Sequence, residues 1–321
     1  MKTSRGGRSP MHVTVPGGPI ELAADLHLPG DLDDAALLRA VVLSTPRSSV
    51  KEQIGANYAS RLAAFGTAAL AFDPAHQGQS GGEPRDLEDP YRRGEDISYA
   101  IDALSTIPGI DPHRIGVLGI CAGGGYAVHT ARTDHRIRAV GVVDPGDIGA
   151  AFRSFQPHSP AAALDTMANT RLRETRTGVL TRENWLPDTP EDAAAAGVDD
   201  VDLLQAIDYY RTRRGGHEHS TNRRLSRGDP LLLGFDPYHL VDRLMTQPLQ
   251  LVLAEHLEGT GFDVSAERLW DLAPHPVDRM VVVGARHYEM YDTPEYVDTA
   301  VDRLATSYVV IEWPDMDALR T

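Results

Sequence analysis

From Met11 to about His27 the chain alternates apolar and polar residues on either side of Pro16-Gly17-Gly18-Pro19, a pattern that predicts a β-hairpin. Ala40–Ser44, Thr67–Phe72, Arg114–Gly119 and Ile137–Val143 are short, nearly unbroken apolar runs, as expected of strands covered on both faces. Between them the period lengthens to that of a helix. Ile54, Tyr58, Leu62 and Phe65 precede Gly66, Ile97, Ile101 and Leu104 share one face, and Ala122–Ala131 follows directly on a strand. Strand–helix alternation of this kind predicts an α/β fold with a mostly parallel sheet between two layers of helices. The rhythm breaks from about Ala150 to Met245, a stretch that is helix-like, Arg-rich and punctuated by proline. It resumes with a strand at Pro248–Leu253, a helix at Ser265–Leu272, a strand at Arg279–Val283 and a helix at Pro294–Tyr308. We expect a core from residues 11–149 and 246–321, an inserted helical cap over 150–245, and a loose basic arm over 1–10.

With 321 residues, 41% of them hydrophobic, the chain can bury a sizeable core. A formal net charge of −15 repels nucleic acid and anionic membrane, so neither is an expected partner. No apolar run approaches the roughly 18–20 residues that span a bilayer, and no secretory pattern follows Met1. The single cysteine excludes an internal disulfide and suits a reducing, cytoplasmic setting. Only Lys2 and Lys51 are lysines, which draws attention to Lys51.

Candidate chemistry centres on Gly119-Ile120-Cys121-Ala122-Gly123, where a strand hands over to a helix. This is the pattern of a nucleophile elbow with cysteine in the nucleophile's place. Small residues on either side relieve crowding in a sharp turn, and the helix N-terminus favours a thiolate. The Ala122 N–H would point at a developing oxyanion. The alternative is an ordinary buried cysteine. Directly after the last strand, Gly284-Ala285-Arg286-His287 supplies a base in the chain order expected of a triad. An acid should lie in the loop after Pro248–Leu253. Glu255 is the choice there, with Glu258 and Asp263 behind it and plain solvated acids as the alternative. His217-Glu218-His219 lacks a metal-site spacing, so neither a metal nor a cofactor is expected. The arginines at 211, 213, 214, 223, 224 and 227 read as a solvated face, with docking of an acidic carrier or coenzyme phosphate as the functional alternative.

At these residues the chain resembles the α/β-hydrolase superfamily, specifically its dienelactone-hydrolase-like, cysteine-nucleophile branch, which includes polyketide transferases. The resemblance is carried by Val50-Lys51-Glu52-Gln53, Phe72-Asp73, Gln77 to Pro84, Gly119 to Ala127, Tyr209 to Thr212, Ser220-Thr221-Asn222, Phe235-Asp236 and Gly284 to His287 with Tyr291-Asp292. It implies Cys121 as nucleophile, His287 as base, and a second oxyanion N–H on the loop after Ala40–Ser44, from Arg47 or Ser48. Relatives tend to have a glycine-rich His-Pro-Gly loop there, whereas this chain reads Thr45-Pro46-Arg47-Ser48-Ser49. Lys51, Glu52, His76 and Tyr126 are candidate pocket residues, with capping and packing as alternatives. The expected activity is hydrolysis of an ester, thioester or lactone through an acyl-enzyme. Transfer of the acyl group to an alcohol or amine, and a non-catalytic small-molecule binder, are the rivals. The expected partner is a small acyl substrate, free or as a carrier or coenzyme A thioester, and a homodimer is an admissible assembly.

Overall fold

The computed structural model describes residues 9–30, 37–156, 159–257 and 259–310. Its central feature is an eight-stranded sheet. We number the strands β1 (Met11–Gly17), β2 (Ile20–His27), β3 (Leu38–Ser44), β4 (Ala68–Phe72), β5 (Ile110–Ile120), β6 (Ile137–Val143), β7 (Leu249–His256) and β8 (Pro276–Arg286). They lie in the order β1-β2-β4-β3-β5-β6-β7-β8. The predicted hairpin forms β1 and β2, which pair antiparallel, and β2 joins β4 antiparallel. All other neighbours are parallel. The helices α1 (Ala56–Ala64), α2 (Pro90–Thr106) and α3 (Ala122–Ala131) follow β3, β4 and β5. Helices α2 and α3 pack together against β5, while α1 packs with the helix Pro294–Val310. Val42, Leu43, Leu70, Val117 and Leu118 between the layers are fully buried, which is why these strands read as continuous apolar runs.

Three differences from the sequence reading have local causes. The helix expected from Lys51 opens with a π-helical turn, Lys51–Gly55, in which Gln53 leaves helical geometry (φ −85°, ψ −127°). The Val50 N–H is taken by the Gln53 side chain and the Lys51 N–H by Asp73. The last strand is an edge, so Val281 and Val283 are exposed rather than buried. The segment between β6 and β7 is mainly helical but also holds a two-stranded antiparallel sheet, Arg182–Asn184 with Arg223–Leu225. Strands of three residues are too short to show a period. Of the basic arm, Met1 to Arg8 lie outside the described residues.

The β3–β5 contact controls the packing that matters most for the site. Ser44 lies opposite Gly119 in the register, and the first turn of α3 presses against the end of β3. A Cβ on Gly123 would sit 2.0 Å from the Ser44 carbonyl oxygen and 2.8 Å from that of Thr45. Gly123→Ala should therefore cost at least about 3 kcal/mol in urea denaturation, the upper part of the overpacking range. Gly234, in a helix and with no atom within 4 Å of its added Cβ, is the control. Gly234→Ala should be neutral or stabilising by about 0.5–1 kcal/mol.

Candidate active site

Strand β5 delivers Cys121 into a backbone conformation that side-chain-bearing residues rarely adopt, φ 58° and ψ −128°. Such strain persists only where the surroundings over-determine it, and here they do. The Cys121 N–H donates to the Val143 carbonyl, while its own carbonyl accepts from Gly124 and Gly146, each bond 2.9 Å long. Glycine at 119 is equally forced, because a Cβ there would lie 2.4 Å from the Gly123 oxygen. The turn leaves the cysteine half-buried at the head of α3.

His287 follows β8 and is fully buried. Its Nδ1–H donates to Asp144 Oδ2 at 3.0 Å, and Nε2 lies 3.0 Å from the Tyr291 hydroxyl. Asp144 directly follows β6, the strand beside β5, in the left-handed region (φ 44°). Its other oxygen accepts the Ala254 N–H at 2.8 Å, so the carboxylate is held on both sides. Burial pushes the Cys121 thiol up. The positive imidazole, hydrogen bonds from His287 and Tyr291, and the Ala122 N–H outweigh it and hold the thiol below its ordinary value. Burial likewise opposes charge on His287, but the Cys121 thiolate and Asp144 raise its pKa to about 10. Each group thus favours the charged form of the other, the thiolate on Cys121 and the imidazolium on His287.

The structure corrects the choice of acid. Glu255 does not reach His287. The pleat of β7 turns it outward, and its carboxylate accepts the Gly284 N–H at 2.7 Å. Asp263 sits in the first turn of the helix Phe262–Leu272 and shares no hydrogen bond with His287, and Glu258 lies outside the described residues. Asp144 closes a strand one place earlier than the sequence reading assumed. The signal for it was an acid directly at the carboxyl end of a buried strand, Asp144-Pro145-Gly146. Tyr291 was also missed in this role, as was the aromatic wall around the imidazole. Phe262 and Tyr288 lie 4.6 and 4.7 Å from the His287 ring, centre to centre.

The loop after β3 keeps a strained shape without glycine. Ser48 takes φ 61°, and its carbonyl is held by the Ser220 hydroxyl at 2.8 Å. Ser49 bonds the Tyr210 hydroxyl at 2.8 Å, so the inserted segment fastens this loop twice. From below, Arg93 donates to the Pro46 carbonyl. Arg47 stacks on Trp185, 4.2 Å from the ring centre. The other predicted pocket residues have polar atoms engaged within the protein. Tyr126 is fully buried and spends its hydroxyl on Glu88 at 2.7 Å, which places it under the loop rather than in a pocket. His76 is fixed to the Pro84 carbonyl at 3.1 Å. Lys51 is buried among Glu52, Asp73 and Gln79.

Glu52 also meets the histidines set aside in the sequence. The donor atoms of Glu52, His217 and His219 lie within 4.8 Å of one another and could hold a metal ion, although Lys51 already occupies one oxygen of Glu52. Glu218 is not the third member. The arginine cluster is largely spent on internal pairs, Arg214 with Asp208 and Asp292, Arg224 with Glu183 and Asp229, and Arg227 with Glu174. Among the described residues no helix is long and apolar enough to cross a membrane.

Comparison with known proteins bears on the fold. The chain is 35% identical over 293 residues to the uncharacterized protein YcjY of Escherichia coli, covering 89% of this chain and 93% of that protein. The crystal structure of hypothetical protein PA2218 from Pseudomonas aeruginosa superposes with a TM-score of 0.85 at 27% identity, over 96% and 95% of the two chains. A thiohydrolase of Eupenicillium brefeldianum is 32% identical over 265 residues, 80% of this chain and 82% of its own length. The chain belongs to the α/β-hydrolase superfamily. No family model matches it.

The charge pair has a kinetic signature. Iodoacetamide should label Cys121 faster below about pH 8, and with a weaker dependence on pH, than an ordinary thiol, which titrates near about 8.5. In His287→Ala the rate should climb about tenfold per pH unit below that value. His287 carries a raised pKa, so the pair contributes stability at neutral pH and loses it as pH rises through about 10. Intact mass after timed pulses measures the rate, and an ordinary thiol profile in the unmodified protein would contradict the pair.

Proposed function

We propose that this α/β-hydrolase superfamily member is a cysteine-dependent acyl hydrolase acting on thioesters or activated esters. The observation that carries the reading is the Cys121–His287–Asp144 line, with the cysteine raised on a strained elbow. A relative named thiohydrolase, matched over 80% of this chain, supports the acyl class.

In this reading the Cys121 thiolate attacks the carbonyl carbon and forms a C–S bond as the carbonyl becomes an oxyanion. The Ala122 N–H, released from the sulfur, and an N–H of Arg47 or Ser48 receive that oxyanion. Collapse expels the leaving thiol or alcohol, which takes the proton from His287 Nε2. Water then attacks the acyl-cysteine, His287 takes its proton, and the acid product leaves with the thiolate regenerated. Asp144 holds the ring in the tautomer that presents Nε2 to both steps. Tyr291 bonds both His287 and Cys121 and restrains the pair between turnovers.

Intact mass after mixing with a panel of acyl thioesters tests the reading. The account predicts an acyl-sized gain on the protein, absent in Cys121→Ala and decaying in water. Asp144→Asn should lower kcat/KM by roughly 10²- to 10⁴-fold, while Glu255→Gln should change it by less than about threefold. Equal loss in both variants would remove Asp144 from the mechanism. An adduct that decays only with an added alcohol or amine would make the enzyme a transferase.

A further inference from the structure

We propose that Arg47 is an anion-recognition residue, so that the donor accepted at Cys121 carries an anionic oxygen group, a carboxylate or a phosphate. The proposal rests on the acyl chemistry proposed above and names its substrate class. Position is the first argument. Ser44 and Gly119 are partners across β3 and β5. Arg47 comes three residues after the first and Cys121 two residues after the second. The Ser44 and Thr45 carbonyls lie directly on the first turn of α3, which brings the loop bearing Arg47 over the elbow.

The state of its charge is the second argument. Arg47 is half-buried, yet among the described residues it has neither a hydrogen bond nor an ion pair, only the face of Trp185. Arg224 provides an internal contrast. It lies over the same ring at 5.5 Å but is paired with both Glu183 and Asp229. Removing a guanidinium from water without a counter-charge is costly, and the attraction of one aromatic ring is a modest return. Stacking occupies the flat face of the guanidinium and leaves its in-plane N–H donors for a planar anionic acceptor. Tyr288, whose ring lies 4.7 Å from that of His287, feels the charges of both Cys121 and Arg47. Binding of an anion would complete a site that the protein has left uncompensated.

The test compares valeryl and glutaryl thioesters of N-acetylcysteamine, which carry no phosphate, with valeryl-coenzyme A, for the unmodified protein, Arg47→Gln and Arg47→Lys. The quantity read is the ratio of kcat/KM between anionic and neutral donors, which a purely structural stack would not alter. A glutaryl-to-valeryl ratio that falls roughly 10- to 100-fold in Arg47→Gln and partly returns in Arg47→Lys assigns the anion to the acyl group. The same fall in the coenzyme-to-cysteamine ratio assigns it to phosphate on the leaving thiol. If both ratios are unchanged while turnover persists, Arg47 is only a stack on Trp185 and the proposal fails. Absence of all turnover would sink the hydrolase reading instead. Calorimetry with glutarate and inorganic phosphate then decides, since neither binding, or binding that survives in Arg47→Gln, overturns the role of Arg47.

Discussion

The contact of Cys121 with the buried His287–Asp144 pair is the constraint on which the rest of this structure turns. Burial opposes charge on both Cys121 and His287, and each group favours the charged form of the other, with Asp144 supporting the imidazolium. Removing one member of such a pair leaves an uncompensated charge, commonly a penalty of about 3–5 kcal/mol. The sheet order makes the arrangement possible. Strands β5, β6, β7 and β8 run side by side and parallel, so their carboxyl ends bring Cys121, Asp144, Ala254 and His287 to one edge. Both Cys121 and Asp144 hold positive φ, and the strain is carried by ladder hydrogen bonds from β6 and β7.

Around that pair the core and the inserted segment share the work of shaping the loop after β3. Glu88, Arg93 and Tyr126 form a buried support beneath it. Ser220, Tyr210 and the Gly215 carbonyl hold Ser48, Ser49 and Gln53 from above. A loop lacking the expected glycines keeps a left-handed residue at Ser48 only because it is clamped on both sides. The inserted segment thus helps to fix the loop after β3. Its Trp185 carries Arg47, which has no hydrogen-bond or ion-pair partner among the described residues.

The parallel core was legible in the sequence because its inner strands, such as β3, β4 and β6, are buried on both faces and each helix ends at a glycine or a polar turn. The elbow was legible because glycine on both sides of Cys121 answers a steric demand that the structure confirms at 119 and 123. His287 followed from its place after the last strand. Asp144 was hidden because chain position alone does not say which strand end faces the imidazole. That depends on the neighbour order and on the outward pleat of Glu255. Tyr126 and Lys51 read as pocket residues, but their polar ends are consumed by partners 38 and 22 positions away in sequence, pairings that no local pattern encodes. Glu52 came to His217 and His219 for the same reason, across 167 positions in the case of His219.

Nitrogen-15 NMR of histidine-labelled protein, with His287 assigned by its loss in His287→Gln, addresses the charge pair without requiring a substrate. At pH 8 the account predicts that both ring nitrogens of His287 carry protons in the unmodified protein, and that the ring becomes neutral when Cys121 is replaced by alanine. A neutral ring in the unmodified protein at that pH, protonated on one nitrogen only, would contradict it.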